Sequence, residues 1–528
     1  MTQILRSISN SILLTFNYSV MPIKKKESTS INRRKFIGGI ASTALAFTIV
    51  PRSVLGGVDF VAPSDKITLA YIGVGTQGLR EMLPLLRAPQ VQIVAVCDPC
   101  KEAIGYRDWG KESLRNEVRK AIQNPNWNPG GDNLVPGGRD NAKEIIDTYY
   151  ANSRGAEKFK SVTAYADFRE MFEKEKDFDA VKIMTPDHLH GLIAMTALKH
   201  GKHLTIHKPI ANRLMEGKLV IDMAKKTKAT THLIAWDSNG SMDAVMQWIN
   251  SGAIGTLKEV HNWTNRPVWP QYSTLPIDKP SIPNGLDWDL WLGPESDRSY
   301  HPNYTNMVFR GWYDFGGGSM ADMGHYSLWA VFNALQLEGP TIIEPNLSHV
   351  CGFNDVTPFR VKNDFAFPMA SSMRFKYPAK GARPAIELCW YDGGMRPPVP
   401  EELYIQNKEM PAEGMMFVGD QGKILSGFQL QNPQVISGKM AGEMKKDPPA
   451  ANDPDAYISR KFIEGCLAGT QCPGSLRDAW PITEAINLYA AALRTGKTLY
   501  YDAASMKITN IPDANKYLSR EYRKGWEL

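Results

Sequence analysis

The chain has 528 residues, 43% hydrophobic and 22% charged, ordinary globular values with room for two or more cored domains. Its formal net charge of +6 comes entirely from the first 60 residues, where eight Lys or Arg face Glu27 and Asp59; the remainder carries 53 charges of each sign. A neutral body gives no electrostatic basis for nucleic-acid or membrane binding, and six cysteines in so long a chain do not make a disulfide scaffold.

At the N-terminus, "NRRKFIGGIASTALAFTIV" sets Arg33-Arg34 before an uncharged stretch from Phe36 to Val50. That stretch is shorter than the roughly 20 residues a membrane-spanning helix needs. Residues 1–60 therefore read as a twin-arginine export signal and linker, and the mature protein is expected in the periplasm with no stable membrane insertion. Met21 is an alternative start, and no clean Ala-x-Ala cleavage site is visible near Ser53 to Gly57.

After Pro63 the pattern changes. "KITLAYIGVG" reads as a strand, "TQGLREMLPLLRA" as a helix and "VQIVAVCDP" as a second buried strand, a βαβ unit. "NPNWNPGGDNLVPGGRD" reads as an inserted loop. Alternation resumes with strand "FDAVKIMTP", helix "HLHGLIAMTALKHG", strand "KHLTIHKP" and helix "LMEGKLVIDMAKKTK". The expected fold is α/β: a doubly wound parallel Rossmann sheet over 61–211, then an α/β domain with a large, open, mixed sheet over 212–528. In the second domain "GTLKEVHNWTNRPVW", "AIELCWYDGG" and "EGMMFVGDQGKILSG" read as strands. "GGSMADMGHYSLWAVFNAL" and "WPITEAINLYAAALRTG" read as helices.

Gly73, Gly75 and Gly78 form a G-x-G-x-x-G, with Thr76 and Gln77 between them, that follows a strand and opens a helix. Such glycines allow a tight turn and let a pyrophosphate approach the backbone at the helix N-terminus. Asp98, at the end of the second strand, is the acid expected to accept from the ribose hydroxyls, which favours NAD over NADP. Cys97 and Cys100 flank Asp98 and read as small strand-end residues rather than a redox pair, while Cys466 and Cys472 could pair.

"TPDHLHGLIAMTALKHGKHLTIHKPIA" resembles the Gfo/Idh/MocA family, in which Thr-Pro-x-x-x-His, a helix, Gly-Lys-His and Glu-Lys-Pro follow one another. The likeness extends through "LDWDLWLGP", "RGWYDFGGGSMADMGH" and the C-terminal "YRKGWEL". It implies an NAD-dependent oxidoreductase with a carbohydrate held between the two domains, and a homo-oligomer. It also implies that Thr185, Pro186, His190 and Lys208 adjoin the cofactor, with Lys208 moving a proton. The chain departs from the pattern twice. His207 stands where the family has Glu, which removes a charge beside Lys208 or adds a group titrating near neutral pH. Asp322 is followed four residues later by Tyr326, with His325 one place early, so either His325 still reaches the sugar or Tyr326 takes its place.

His200, His203 and His207 do not share a face, so no metal is expected. Seven of the 13 tryptophans lie between 248 and 329. Arg266, Trp269, Arg310 and Trp312 are the residues of that stretch expected to line a sugar pocket. Three activities remain open: oxidation of a sugar or glycoside hydroxyl with tightly bound NAD, a redox-neutral glycosidase or lyase working through a transient keto-sugar, and a non-catalytic sugar-binding protein.

Overall fold

The computed structural model describes residues 65–528 apart from 107–109, 111, 132–134, 155–159, 235–239, 440–441 and 444–453. The expected export signal lies outside these residues. The first strand, β1 (Ile67–Ile72), is buried on both faces, as an inner parallel strand must be. It leads through the glycine turn into α1 (Thr76–Arg87) and β2 (Val91–Cys97). Between β2 and β5, strand β3 (Ala103–Tyr106) pairs antiparallel with β4 (Val135–Gly137), beside helices α2 (Ser113–Ala121) and α3 (Arg139–Arg154); the run read as an inserted loop, 124–140, contains β4 and the start of α3. Trp127, inside the Asn/Pro/Gly-rich run, is buried at 3% exposure against the outer face of the domain, so the run is packed rather than free.

The alternation then continues with β5 (Thr163–Tyr165), α4 (Phe168–Lys174), β6 (Ala180–Ile183), α5 (Asp187–Lys199), β7 (His203–Ile206), α6 (Leu214–Lys226) and β8 (Thr231–Leu233). The strands form one parallel six-stranded sheet in the order β5-β2-β1-β6-β7-β8. The order reverses between β1 and β6, and it is at such a point that a crevice opens at the strand ends. The sheet passes the boundary expected at residue 211. Strand β8 is only three residues long, too short for its apolar pattern to stand out, yet it pairs with β7 through Leu204–Thr231 and Ile206–Leu233.

The second domain begins with α7 (Gly240–Asn250), β9 (Leu257–Trp263), α8 (Trp288–Leu292) and α9 (Gly318–Ala334). Its further strands are β10 (Ile342–Leu347), the separate hairpin β11 (Cys351–Asn354) and β12 (Thr357–Arg360), β13 (Ser371–Tyr377) and β14 (Ile386–Tyr391). Then come α10 (Glu401–Ile405), β15 (Gly414–Gly419), β16 (Lys423–Ser426), β17 (Gln434–Ser437), β18 (Gly442–Glu443), α11 (Pro454–Ala468), α12 (Leu476–Thr495), β19 (Leu499–Asp502) and β20 (Lys507–Ile508). Ten strands form one sheet in the order β18-β17-β16-β15-β9-β14-β13-β10-β19-β20, mixed because β9 and β14 run parallel. Outward-facing side chains of its middle strands are charged: Lys376 meets Glu344 at 2.9 Å and Arg374 meets Glu387 at 3.4 Å.

Helix α12 ties the domains together. Ser475 and Asp478 form a capping box at its start, and Gly496 in the left-handed region ends it. Its Asn487 donates to Ala211 O at 3.0 Å and its Thr483 accepts from Ile210 N at 3.4 Å. These bonds pin the backbone two and three residues after Lys208.

Candidate active site

The carboxyl ends of β1, β2, β6 and β7 and the start of α9 enclose a cleft of about 450 Å³. At one end is the glycine loop. Gly73 sits at φ +90, and a Cβ there would lie 2.6 Å from the backbone C and O of Met184; a Cβ on Gly78 would lie 2.3 Å from Gly73 O. Helix α1 has no side-chain cap, so its first amides are left to a ligand, and Gly75, Thr76, Gln77 and Gly78 all line the cleft. The hydroxyls of Thr76 and Thr185 are buried with no hydrogen-bond partner among the described residues. An uncapped helix start, a turn with no room for side chains and two orphaned hydroxyls fit a dinucleotide.

Asp98 lines the same end, 6% exposed. Its Oδ2 accepts Val74 N–H and its Oδ1 accepts Cys100 N–H, each at 2.8 Å. Burial raises its pKa, and these two amides oppose the rise. The acid thus holds the glycine loop as well as facing the cleft; each oxygen retains a second lone pair. Cys97 and Cys100 are both free thiols, and burial pushes Cys100 up to about 12, which leaves no thiolate for redox work. Cys466 and Cys472 are likewise free.

At the other end, Lys208 is 4% exposed on a cis Lys208–Pro209 bond and donates to Asp322 Oδ1 at 3.0 Å. Arg310 Nε reaches the same oxygen at 3.2 Å, and the Tyr326 ring lies 4.9 Å from Lys208 Nζ. Burial pulls the lysine pKa below its ordinary value, with Asp322 opposing and Arg310 adding to the fall. Burial alone would raise Asp322, but Lys208 and Arg310 outweigh it and hold the carboxyl low. Pro186, Thr185, Arg266 and Trp269 also line the cleft.

Three sequence-based expectations need correction. His325 does not reach the cleft. Asp322, Met323 and Tyr326 line it, and at about 100° per residue His325 points some 110° from the middle of that arc. It faces α12 instead, 3.4 Å from Thr483 Oγ1, and burial holds its pKa to about 3. His190 is a tie rather than a lining residue: its ring nitrogens face Pro209 O at 2.7 Å and Thr185 O at 2.8 Å, joining the ends of β6 and β7. Trp312, 1% exposed, is core: its indole donates to Asn303 O at 2.6 Å and its ring stacks on Tyr272.

His207 lines the cleft, but burial, then the charges of Lys208 and Arg310, hold its pKa well below the usual value. It is therefore a neutral imidazole, not a second group titrating near pH 7. Glu81 of α1 lies 3.7 Å from His207 Nε2 but is ion-paired with Lys182 of β6 at 2.8 Å. Nothing in the apolar strand "FDAVKIMTP" marks Lys182 as half of a buried pair. Asp187 and Trp291 were missed too. Asp187 is 4% exposed and takes Gly317 N–H at 3.0 Å, fixing the start of α9; Trp291 lines the cleft beside Leu189. His200 and His203 serve separately, His200 against the Phe172 ring and His203 as acceptor for Thr230 N–H. Among the described residues no group of three metal-ligating side chains converges.

Two family models match consecutive stretches: an oxidoreductase family, NAD-binding Rossmann fold, at residues 125–234, and an oxidoreductase family C-terminal α/β domain at 243–343. Both models are of the Gfo/Idh/MocA oxidoreductase family. The Rossmann domain of this family binds NAD, and the glycine loop described above, which lies before the matched stretch, supplies the fitting cradle. The chain is 32% identical over 107 residues to a levoglucosan dehydrogenase of Pseudarthrobacter phenanthrenivorans, covering 20% of this chain and 27% of that one. It is 27% identical over 174 residues to a glycosyl hydrolase family 109 protein of Streptomyces filamentosus, covering 33% and 27%. The chain thus matches only about a quarter of the length of these curated relatives. A solved levoglucosan dehydrogenase in complex with NADH aligns with 82% of this chain and 98% of its own, at 14% identity and TM-score 0.47.

The cradle makes Gly73→Ala a direct test of the glycine loop. A positive φ and a backbone contact at 2.6 Å together cost about 1–3 kcal/mol or more of local strain, enough to move the loop. The variant is expected to carry less NAD than wild type, measured by denaturing equal amounts and assaying released cofactor. Full retention would show that the loop does not hold the dinucleotide.

Proposed function

We propose that this protein oxidises a ring hydroxyl of a sugar or glycoside with NAD that stays bound between turnovers. The observation that carries this reading is the Lys208–Asp322–Tyr326 group at the end of a cleft whose other end is the glycine loop. NAD, when bound, accepts a hydride from the carbon bearing the hydroxyl. Lys208 Nζ takes the hydroxyl proton, and burial favours the neutral lysine this requires. Asp322 orients Nζ, and Tyr326 closes the wall beneath it. Trp269 and Trp291 offer flat apolar faces for the C–H side of a sugar ring.

A redox-neutral variant of the same chemistry has support of its own, namely the likeness to glycosyl hydrolase family 109 proteins, including one of Phocaeicola vulgatus at 24% identity over 164 residues. A transient ketone acidifies the neighbouring C–H, a base in the cleft removes that proton, the glycosidic group leaves by elimination as the alcohol, and addition of water followed by return of the hydride to the ketone would close the cycle. We also propose export through the Arg33-Arg34 signal and self-association of the mature protein, both readable from the mass of the species recovered from the periplasm. Export favours a retained cofactor, since a compartment without free NAD would halt an enzyme that released NADH each cycle.

Holoenzyme incubated with a panel of glycosides and no added NAD, with products followed by mass spectrometry, is expected to turn over many times per bound cofactor. Product in strict proportion to added NAD, with matching NADH released, would refute retention and leave a conventional dehydrogenase.

A further inference from the structure

We infer that His207 is the base that removes the proton from the carbon next to the transient ketone, and that Glu81 behind it holds the imidazole for that task. The inference rests on the redox-neutral reading above and names a group which that reading leaves unassigned. Its basis is the supply of lone pairs at the Lys208 end of the cleft. Once the hydride has left the sugar, Lys208 carries the hydroxyl proton and stays an ammonium until the hydride returns. The C–H proton therefore needs another acceptor. The guanidiniums of Arg266 and Arg310 have no lone pair to offer, and a phenol such as Tyr326 brings a proton of its own. Asp322 is the counter-ion of the ammonium, with Lys208 and Arg310 on one oxygen at 3.0 and 3.2 Å. Asp98 stands at the cofactor end with an amide on each oxygen. His207 remains, beside Lys208 in the chain and lining the same cleft.

Its surroundings decide which nitrogen is available. Nε2 is buried and has no hydrogen-bond partner among the described residues. Glu81 Oε1 faces it at 3.7 Å, while Oε2 of the same carboxylate takes Lys182 at 2.8 Å. Gln77 donates to Oε1 at 3.2 Å and fixes it further. An acceptor facing Nε2 favours the tautomer with its proton there, which leaves the lone pair on Nδ1, the nitrogen away from that enclosed side. As charge builds on the ring, a small turn brings Nε2–H onto Glu81, the arrangement of a carboxylate–histidine pair. Burial, then Lys208 and Arg310, keep the resting ring unprotonated, so the lone pair is present across the working range of pH. Weak bases serve at a carbon next to a carbonyl.

Protons and electron pairs balance. The hydride goes to NAD and the hydroxyl proton to Lys208. Nδ1 of His207 takes the C–H proton, and the pair from that bond forms a carbon–carbon double bond. The glycosidic oxygen leaves with the pair of its own bond and takes the proton from His207, departing as the alcohol. Water then adds with His207 receiving its proton and passing one to the carbon, after which the hydride and the Lys208 proton return to the ketone.

The test incubates NAD-loaded holoenzyme with the glycoside panel in D₂O. It follows reduction of the bound nicotinamide by absorbance and deuterium in the recovered sugar by mass spectrometry. Wild type is expected to place deuterium on the ring carbon next to the oxidised one. His207→Gln, which keeps the length of the side chain without a proton acceptor of that strength, should retain NAD and reduce it as wild type does. Its deuterium wash-in should fall by about 10²–10⁴-fold. Glu81→Gln made together with Lys182→Met strands no charge and should slow wash-in by about tenfold or more, with reduction kept. Wash-in at the wild-type rate in His207→Gln overturns the inference and keeps the redox-neutral reading. So does an equal loss of reduction and wash-in, or loss of NAD, either of which would assign the ring to the hydride step or to cofactor binding. Unchanged wash-in in the double variant overturns the role of Glu81. Wild type that reduces its nicotinamide with no wash-in above that of the free ketone overturns the redox-neutral reading itself and leaves the dehydrogenase, and no reduction with any glycoside overturns the sugar reading.

Discussion

Replacing Lys208 with alanine is expected to lower kcat by about 10²–10⁴-fold, the range for a positioned acid or base, while bound NAD is kept. The substitution leaves no orphaned carboxylate, because Arg310 still holds Asp322 Oδ1 at 3.2 Å, so the fold should survive. The sign of the pH dependence follows from the same geometry. A lysine base works unprotonated, so wild-type kcat should rise with pH. Burial places the midpoint below the ordinary 10.5. Asp322 opposes that shift, so Asp322→Asn should move the rising limb to lower pH, whatever it does to the plateau. Lys208→Arg, which cannot lose its proton, should be slow at every pH. No histidine limb is expected between pH 5 and 8, because His207 and His325 are buried as neutral rings. A Lys208→Ala enzyme with most of its activity and the same pH profile would move proton transfer to Tyr326.

Much of this site is legible in the sequence because its parts are local. The Rossmann unit follows from the two apolar strands and three glycines between Ile67 and Cys97, since turn, helix start and strand end lie within one βαβ. Lys208 stands out because a strand ends there against proline. What is not legible is which side of a helix turns inward. "ADMGHYSLWA" contains Asp322, His325 and Tyr326 within five residues, and the packing of α9 on α12, about 160 residues later, sends His325 to Thr483 and Tyr326 to Lys208. The tryptophans fail for a related reason: Trp269 and Trp312 have the same chemistry and similar neighbours, but Trp312 is enclosed by Tyr272, Tyr304 and Phe365. Charge pairs between distant segments leave no local trace at all. Glu81 looks like the polar side of an amphipathic helix, and Lys182 looks like a lapse in an apolar strand, until β6 is laid against β1 and the two meet.

The largest expected effect on stability comes from a residue of the C-terminal tail, Arg520. Its side chain is 3% exposed and sits among acids from two other segments: Glu216 on α6, which Arg520 Nε contacts, and Glu295 after α8, at 2.5 Å from Nη1. Nη2 also donates to Asn212 Oδ1 and, at 3.0 Å, to Glu216 Oε2. Tyr522 adds a bond to Glu216 at 2.8 Å, and Arg213 Nη2 reaches the same Glu295 Oε1 at 3.3 Å. The cluster therefore clamps the chain just after Lys208–Pro209, at the start of α6. Arg520→Met removes the cation and leaves two buried carboxylates short of a partner, a change that costs about 3–5 kcal/mol when a buried ion pair is broken from one side. Urea unfolding at pH 7 should show that loss as a lower midpoint with an unchanged slope. The deficit should narrow as pH falls. Without Arg520, Glu295 has a folded pKa further above its unfolded one, so acid protonates it and relieves its burial penalty. Burial already raises Glu295 with both arginines in place. Adding Glu216→Gln to Arg520→Met should recover part of the loss, because it removes one stranded charge and keeps the shape of the side chain. A midpoint within experimental error of wild type, or no recovery in the double variant, would mean that water reaches the cluster and that the C-terminal tail packs on the domain joint without holding it.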